Sequence, residues 1–134
     1  MRTHFEKFVK HFCASVDLED PERTVHGGPF EVDGIVFSII YNEHINNSMM
    51  FLYVDFGYAP SKNEATVYYE LLKQNYITFA GKGPAYTISP ITGSVIYIEH
   101  FFLDQITPAE FVGILAHLSA RAKEWQKTFF LDAS

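Results

Sequence analysis

The residues of this chain best suited to bind a metal or move a proton are its six histidines, His4, His11, His26, His44, His100 and His117. None stands at ligand spacing from another histidine or from the single cysteine, Cys13. His4 and His11 are seven residues apart and share a helix face, but two ligands fall short of a zinc site. HExxH, CxxC and clustered Asp-x-Asp are absent. No Gly-x-Ser-x-Gly elbow presents a serine nucleophile, and Thr92-Gly93-Ser94 reads as turn chemistry. Gly81-Lys82-Gly83 lacks the rest of a phosphate loop, and no helix N-terminus follows it. Among the carboxylates, Asp17, Glu19, Asp20 and Glu22 share one solvated loop, while Asp55 and Asp104 end strands. Glu99 and His100 are neighbours on a strand, so they point to opposite faces and do not form a direct pair. A cleft near Tyr53, Asp55, Glu99 and His100 is where a small-molecule or enzymatic site would sit.

The bulk numbers narrow the classes further. A chain of 134 residues is a one-domain length, and 48% apolar residues mark it as globular. The net charge of −6 repels phosphate, which disfavours nucleic acid and anionic membranes as partners. With one cysteine there is no intramolecular disulfide, and Cys13 reads as a small apolar residue on a helix face. No apolar run approaches the roughly 18–20 residues that span a bilayer, and the start lacks a signal-peptide centre. The expected compartment is the cytoplasm, with no membrane insertion.

The elements that position these residues follow from periodicity. Phe5, Phe8, Val9, Phe12, Cys13 and Val16 trace one face of a first helix, with Thr3 and Glu6 in capping-box spacing. Asp17–Arg23 reads as a loop around Pro21. Asp33-Gly34 turns one hairpin between Phe30–Val32 and Ile35–Tyr41, and Asn46-Asn47 turns the next into Met49–Phe56. A second helix runs from Ser61, with Glu64 as its capping partner, to about Asn75. Tyr76–Phe79 is a short apolar stretch, and Gly81–Pro84 is a flexible loop. Two more strands, Tyr86–Ser89 and Ser94–Leu103, turn at Pro90-Ile91-Thr92-Gly93. Thr107, Pro108 and Glu110 open a last helix that reaches Lys127. The order α-β-β-β-α-β-β-α argues an α+β fold, a twisted, mainly antiparallel sheet flanked by helices.

What remains is apolar surface. Phe101-Phe102-Leu103 and Met49-Met50-Phe51-Leu52 cannot all face one core, since strand neighbours alternate. Either both sheet faces are covered within the chain or one face meets another chain.

Three stretches carry a family resemblance: Glu70-Leu71-Leu72-Lys73-Gln74-Asn75, then Tyr86–Val95 with its Pro-x-Thr-Gly turn, then Phe102-Leu103-Asp104 leading into Phe111–Trp125. With the element order, they resemble the class I type III secretion chaperones, the Tir-chaperone-like family. The long aromatic link Tyr76–Pro84 and the tail Phe129-Phe130-Leu131 depart from it. The resemblance implies a homodimer without catalytic activity, cofactor or metal, which holds the N-terminal segment of a secreted effector polypeptide extended. It implies an effector groove on the first helix and neighbouring strands: Phe5, Phe8, Val9 and Phe12, with Ile39 or Met50 as floor. It implies a two-fold interface from the second helix and late strands: Val67, Tyr68, Leu71 and Ile96. The other readings are the enzymatic or ligand-binding domain above, and a dimeric interaction module of the same fold outside secretion.

Overall fold

The computed structural model describes residues 2–78 and 83–131. Within them, five antiparallel strands form one sheet in the order β1-β2-β3-β5-β4. The strands are β1 Phe30–Val32, β2 Ile35–Ile40, β3 Met49–Gly57, β4 Ala85–Ile88 and β5 Val95–Phe102. The helices are α1 Arg2–Ser15, α2 Pro21–Val25, α3 Glu64–Thr78 and α4 Pro108–Thr128, with a 3-10 turn at Leu103–Gln105. The α+β class and antiparallel sheet expected from sequence are present.

Turn chemistry sets the hairpins. Asp33 and Gly34 both take positive φ, 53° and 80°, the twist that a two-residue loop needs between right-twisted strands. Between β4 and β5, the Ser89 hydroxyl accepts from the backbone N–H groups of Ile91 (3.2 Å) and Thr92 (3.1 Å), and Gly93 adopts φ 80°. The central pairing is β3 with β5, from Met49↔Phe102 to Gly57↔Val95, with a register shift between Asp55 and Gly57.

One face of the sheet is closed. On β3, Met50, Leu52, Val54 and Phe56 are fully buried, and their neighbours across the sheet, Phe37, Ile39, Val95 and Tyr97, point the same way. Helix α4 lies across β3 and β1, and α1 packs beside it. Aromatic edges lock this layer: Phe111 meets Phe8 at 5.5 Å, Phe12 at 5.1 Å and Phe101 at 5.7 Å between ring centroids. Burying each such side chain stabilises by about 1.5–3 kcal/mol. Helix α4 begins on the expected capping box: Thr107 Oγ1 accepts from the Glu110 N–H at 3.1 Å, and Glu110 Oε1 accepts from the Thr107 N–H at 2.9 Å. It is tied to the sheet by Ser119, whose hydroxyl donates to the Val32 carbonyl (3.3 Å), and by Gln126, which donates to the Phe56 carbonyl (3.0 Å).

Three elements differ from the sequence expectations. Pro21–Val25 is a short helix, not a loop, because the Asp20 side chain caps it by accepting from Arg23 N–H at 3.1 Å. Helix α3 starts at Glu64 rather than Ser61, after Asn63 at φ 64°, and continues past Asn75 through Tyr76–Thr78. Thr3 is already helical in α1, and Glu6 pairs with Arg2 at 3.2 Å instead of reaching back to a cap. Phe79 and the Gly81-Lys82 part of the expected loop lie outside the described residues.

The outer strand β4 pairs with β5 on one side, and on the other a single side chain ties it to α3. Asn75 donates from Nδ2 to the Tyr86 carbonyl (3.0 Å) and accepts at Oδ1 from the Tyr86 N–H (2.8 Å). Both backbone groups on that edge residue are thereby satisfied, and α3 is fastened along the edge. Asn75→Ala strands two polar groups and is expected to lower unfolding stability by about 1–3 kcal/mol. Urea unfolding followed by the fluorescence of Trp125, the sole tryptophan, measures it. A loss below about 0.5 kcal/mol, the ordinary range of a surface substitution, would contradict the role.

Candidate functional site

The opposite face of the sheet carries no buried side chain. Alternation along β2, β3 and β5 places Val36, Ile40, Phe51, Tyr53, Ile96 and Ile98 there, all half-buried or exposed. Val36 is 41% exposed and Tyr53 38%. Together with Pro90, Ile88 and Thr87, most of these residues line a shallow hollow of about 590 Å³. A second hollow of about 350 Å³ lies between α3 and β4, lined by Tyr68, Leu71, Leu72, Tyr86, Thr87 and Ile88. The two share Thr87 and Ile88, so the apolar surface is continuous from the sheet face onto α3. Helix α3 adds Tyr69, Tyr76 and Ile77, all exposed, and Leu72 at 66%. Exposed apolar patches are where proteins meet other chains, ligands or membranes.

The residues expected at the effector groove lie inside the protomer. Phe5, Phe8, Val9, Phe12, Ile39 and Met50 are all buried. The stripe of α1 is spent on α4 and on neighbouring rings, with Phe12 against Phe30 (5.6 Å) and Phe5 stacked on Tyr41 (4.6 Å). Ile39 and Met50 point to the closed face. In the single protomer these six build the interior. The expected interface set divides. Val67 and Leu71 are buried, Leu71 beside β4, while Tyr68 and Ile96 are half-buried on the continuous apolar surface. Sequence reasoning missed Leu72, Ile88, Ile98 and Val36. The apolar character of Leu72 was visible, but the rotation of α3 that turns Leu71 inward and Leu72 outward was not.

The residues with reactive groups are dispersed. Tyr53, Asp55 and His100 share the open face, whereas Glu99 pairs across from Leu52 on the closed side. Asp55 Oδ1 accepts from the Gly57 N–H (2.9 Å), which fixes it in the bulge at the end of β3. Glu99 Oε1 accepts from the Tyr97 hydroxyl at 2.7 Å. Burial first, and that carboxylate second, push the Tyr97 hydroxyl well above the usual tyrosine range. Burial also raises the Cys13 thiol, which lowers its reactivity. Among the described residues, no group of three or more His, Cys, Asp or Glu is placed to hold a metal ion. No described helix is long and apolar enough to cross a membrane.

The protomer is thus an α+β fold with a continuous apolar surface and dispersed reactive groups. The model of the Tir chaperone protein (CesT) family matches residues 7–126, and the chain belongs to that family. It is thus a type III secretion chaperone, as the resemblance in its sequence implied. Solved structures share the fold. The chain resembles one from the ExsC-ExsE complex with a TM-score of 0.72 at 14% identity, covering 96% of each chain. It resembles one from the Yersinia pestis type III secretion chaperone SycH in complex with a fragment of YscM2 with a TM-score of 0.65 at 13% identity, covering 90% of this chain and 98% of that one. A chain of the ExoT-SpcS complex from Pseudomonas aeruginosa gives 0.61 at 17% identity, covering 92% and 98%. No curated protein matches the sequence.

The raised Tyr97 hydroxyl has a stability consequence. Its neutral form is favoured in the folded state, so its contribution is complete below the ordinary tyrosine value of about 10 and is lost as pH rises above it. The urea midpoint is expected to hold between pH 7 and 9 and to fall above about 10, less steeply in Tyr97→Phe than in the native chain. Equal alkaline slopes in the two proteins would contradict this.

Proposed function

We propose that two copies of this chain join through α3 and the late strands, and that the pair holds the N-terminal segment of a secreted effector extended on the apolar surface that remains. The observation that carries the reading is the continuous apolar surface formed by the uncovered sheet face and α3, on a chain of a chaperone family. Tyr68, Leu72, Ile88 and Ile96 are the contacts we assign to the two-fold interface. Val67 and Leu71 act beneath it, by fixing the rotation of α3. Phe5, Phe8, Val9, Phe12, Ile39 and Met50 act on the client indirectly, by setting the shape of the layer they fill.

The physics suits a client that is unfolded. Ordering an extended segment costs conformational entropy, so many apolar anchors must offset it. The resemblance of the fold to chaperones solved in complex with effector or partner proteins supports the same reading. The protomer works as a single domain in the cytoplasm, without a cofactor and without chemistry of its own.

The native chain is expected to sediment as a dimer at tens of micromolar and to co-purify from its host with one small secreted client. Leu72→Glu places a charge on a residue that is exposed in the protomer, so the fold is retained. Burying that charge at the interface is expected to raise the dimer dissociation constant about a hundredfold or more. Analytical ultracentrifugation reads both. A native chain that stays monomeric, or a Leu72→Glu dimer as tight as the native one, would overturn the interface.

A further inference from the structure

On the closed side of the sheet, α4 does not seal the β4–β5 hairpin completely. A cleft of about 670 Å³ remains, lined by Tyr86, Tyr97, Glu99, Gly113, Ile114 and Arg121 among others. We propose that this cleft seats one stretch of the client, an extended segment with a basic side chain between apolar ones. The proposal rests on the chaperone reading above and gives that reading a specific pocket.

Gly113 is the first observation. It lies inside α4, where glycine destabilises a helix relative to alanine. Packing does not call for it, since a Cβ built there meets nothing within 4 Å, and its φ is not positive. What the missing side chain does is bare the helix backbone along the cleft wall, so that another backbone can lie close.

The charges are the second observation. Arg121 is held inside the protomer by neutral partners: its Nε donates to the Tyr86 hydroxyl at 3.0 Å, and its guanidinium lies 4.6 Å from the centre of the Phe130 ring. It keeps its charge, but Glu99 and Glu110 both line the cleft, so carboxylates outnumber this one guanidinium. Glu99 holds one neutral donor, the Tyr97 hydroxyl, and among the described residues it forms no ion pair. An ionised carboxylate has about four lone-pair sites, so Glu99 can accept further donors from a cation. Ile114 and Leu118 beside it supply apolar wall for the flanking residues. The volume is that of a small-ligand pocket, enough for a few residues of extended chain. The net charge of −6 favours the approach of a basic segment.

The test uses the full chain and two fluorescent synthetic peptides, one alternating Leu with Lys and the other alternating Leu with Glu. The Lys peptide is expected to bind at least tenfold more tightly by fluorescence anisotropy. Gly113→Leu, which fills the cleft, and Glu99→Gln, which removes its charge, are each expected to weaken the Lys peptide about five- to tenfold. Glu124→Gln, on the exposed side of the same helix, is the control and should leave binding unchanged. Amide chemical shifts on adding the Lys peptide are expected to centre on Gly113, Glu99 and Arg121. Thermal melting checks that each variant is folded, and Glu99→Gln carries the test if Gly113→Leu is not. Equal affinity of native chain and Glu99→Gln, shifts centred on Val36, Tyr53 and Ile98 instead, or no binding of either peptide would overturn the proposal. A dimer that retains its host client undiminished in both variants defeats the cleft alone. A monomer with no client defeats the chaperone reading itself.

Discussion

A β-sheet has two faces, and this protomer has layers enough to close one. Along β3 the side chains that point towards α1 and α4 are buried without remainder, and those that point away are not. The alternation of the pleat makes this unavoidable: an apolar run such as Met49–Val54 sends half of its members to the far side. Helix α3 does not return across that side. It runs along β4 and adds its own outward residues to the same surface. The constraint propagates to everything else, because an exposed apolar face is where other chains, ligands or membranes attach.

The edge of the sheet shows the opposite strategy. Where an outer strand would expose backbone groups to any passing chain, Asn75 satisfies the carbonyl and N–H of Tyr86. The molecule thus offers side-chain surface while engaging the backbone groups of one edge residue. For a chaperone that is a useful division. Apolar contacts can hold many sequences, whereas an open strand edge invites uncontrolled pairing.

Local signals in the sequence translated well into local structure. Thr107 and Glu110 form their reciprocal cap, Asp33-Gly34 turns its hairpin, and the β4–β5 turn lies where Pro90–Gly93 marked it. Helix α2 was not read: Asp20 before Pro21 is its cap, but the density of acidic residues around it read as loop. Faces were harder. The periodicity of Phe5, Phe8, Val9 and Phe12 reveals that α1 has an apolar side without revealing that α4 is what meets it. Leu71 and Leu72 are alike in composition, and only the docking of α3 on β4 decides which is core and which is surface. Gly113 carried no signal at all until its surroundings were known, since an isolated helical glycine acquires meaning from the space beside it.

The central claim is that the uncovered sheet face and α3 are covered by polypeptide in the working protein. Carbene footprinting of side chains on the free chain, across dilution and then with client bound, tests it most directly. The expected result is protection of Tyr68, Leu72 and Ile96 at high concentration that disappears on dilution, with Gly113 and its neighbours labelled until client is added. Open-face and α3 side chains that label equally at every concentration, with client and without, would contradict the claim.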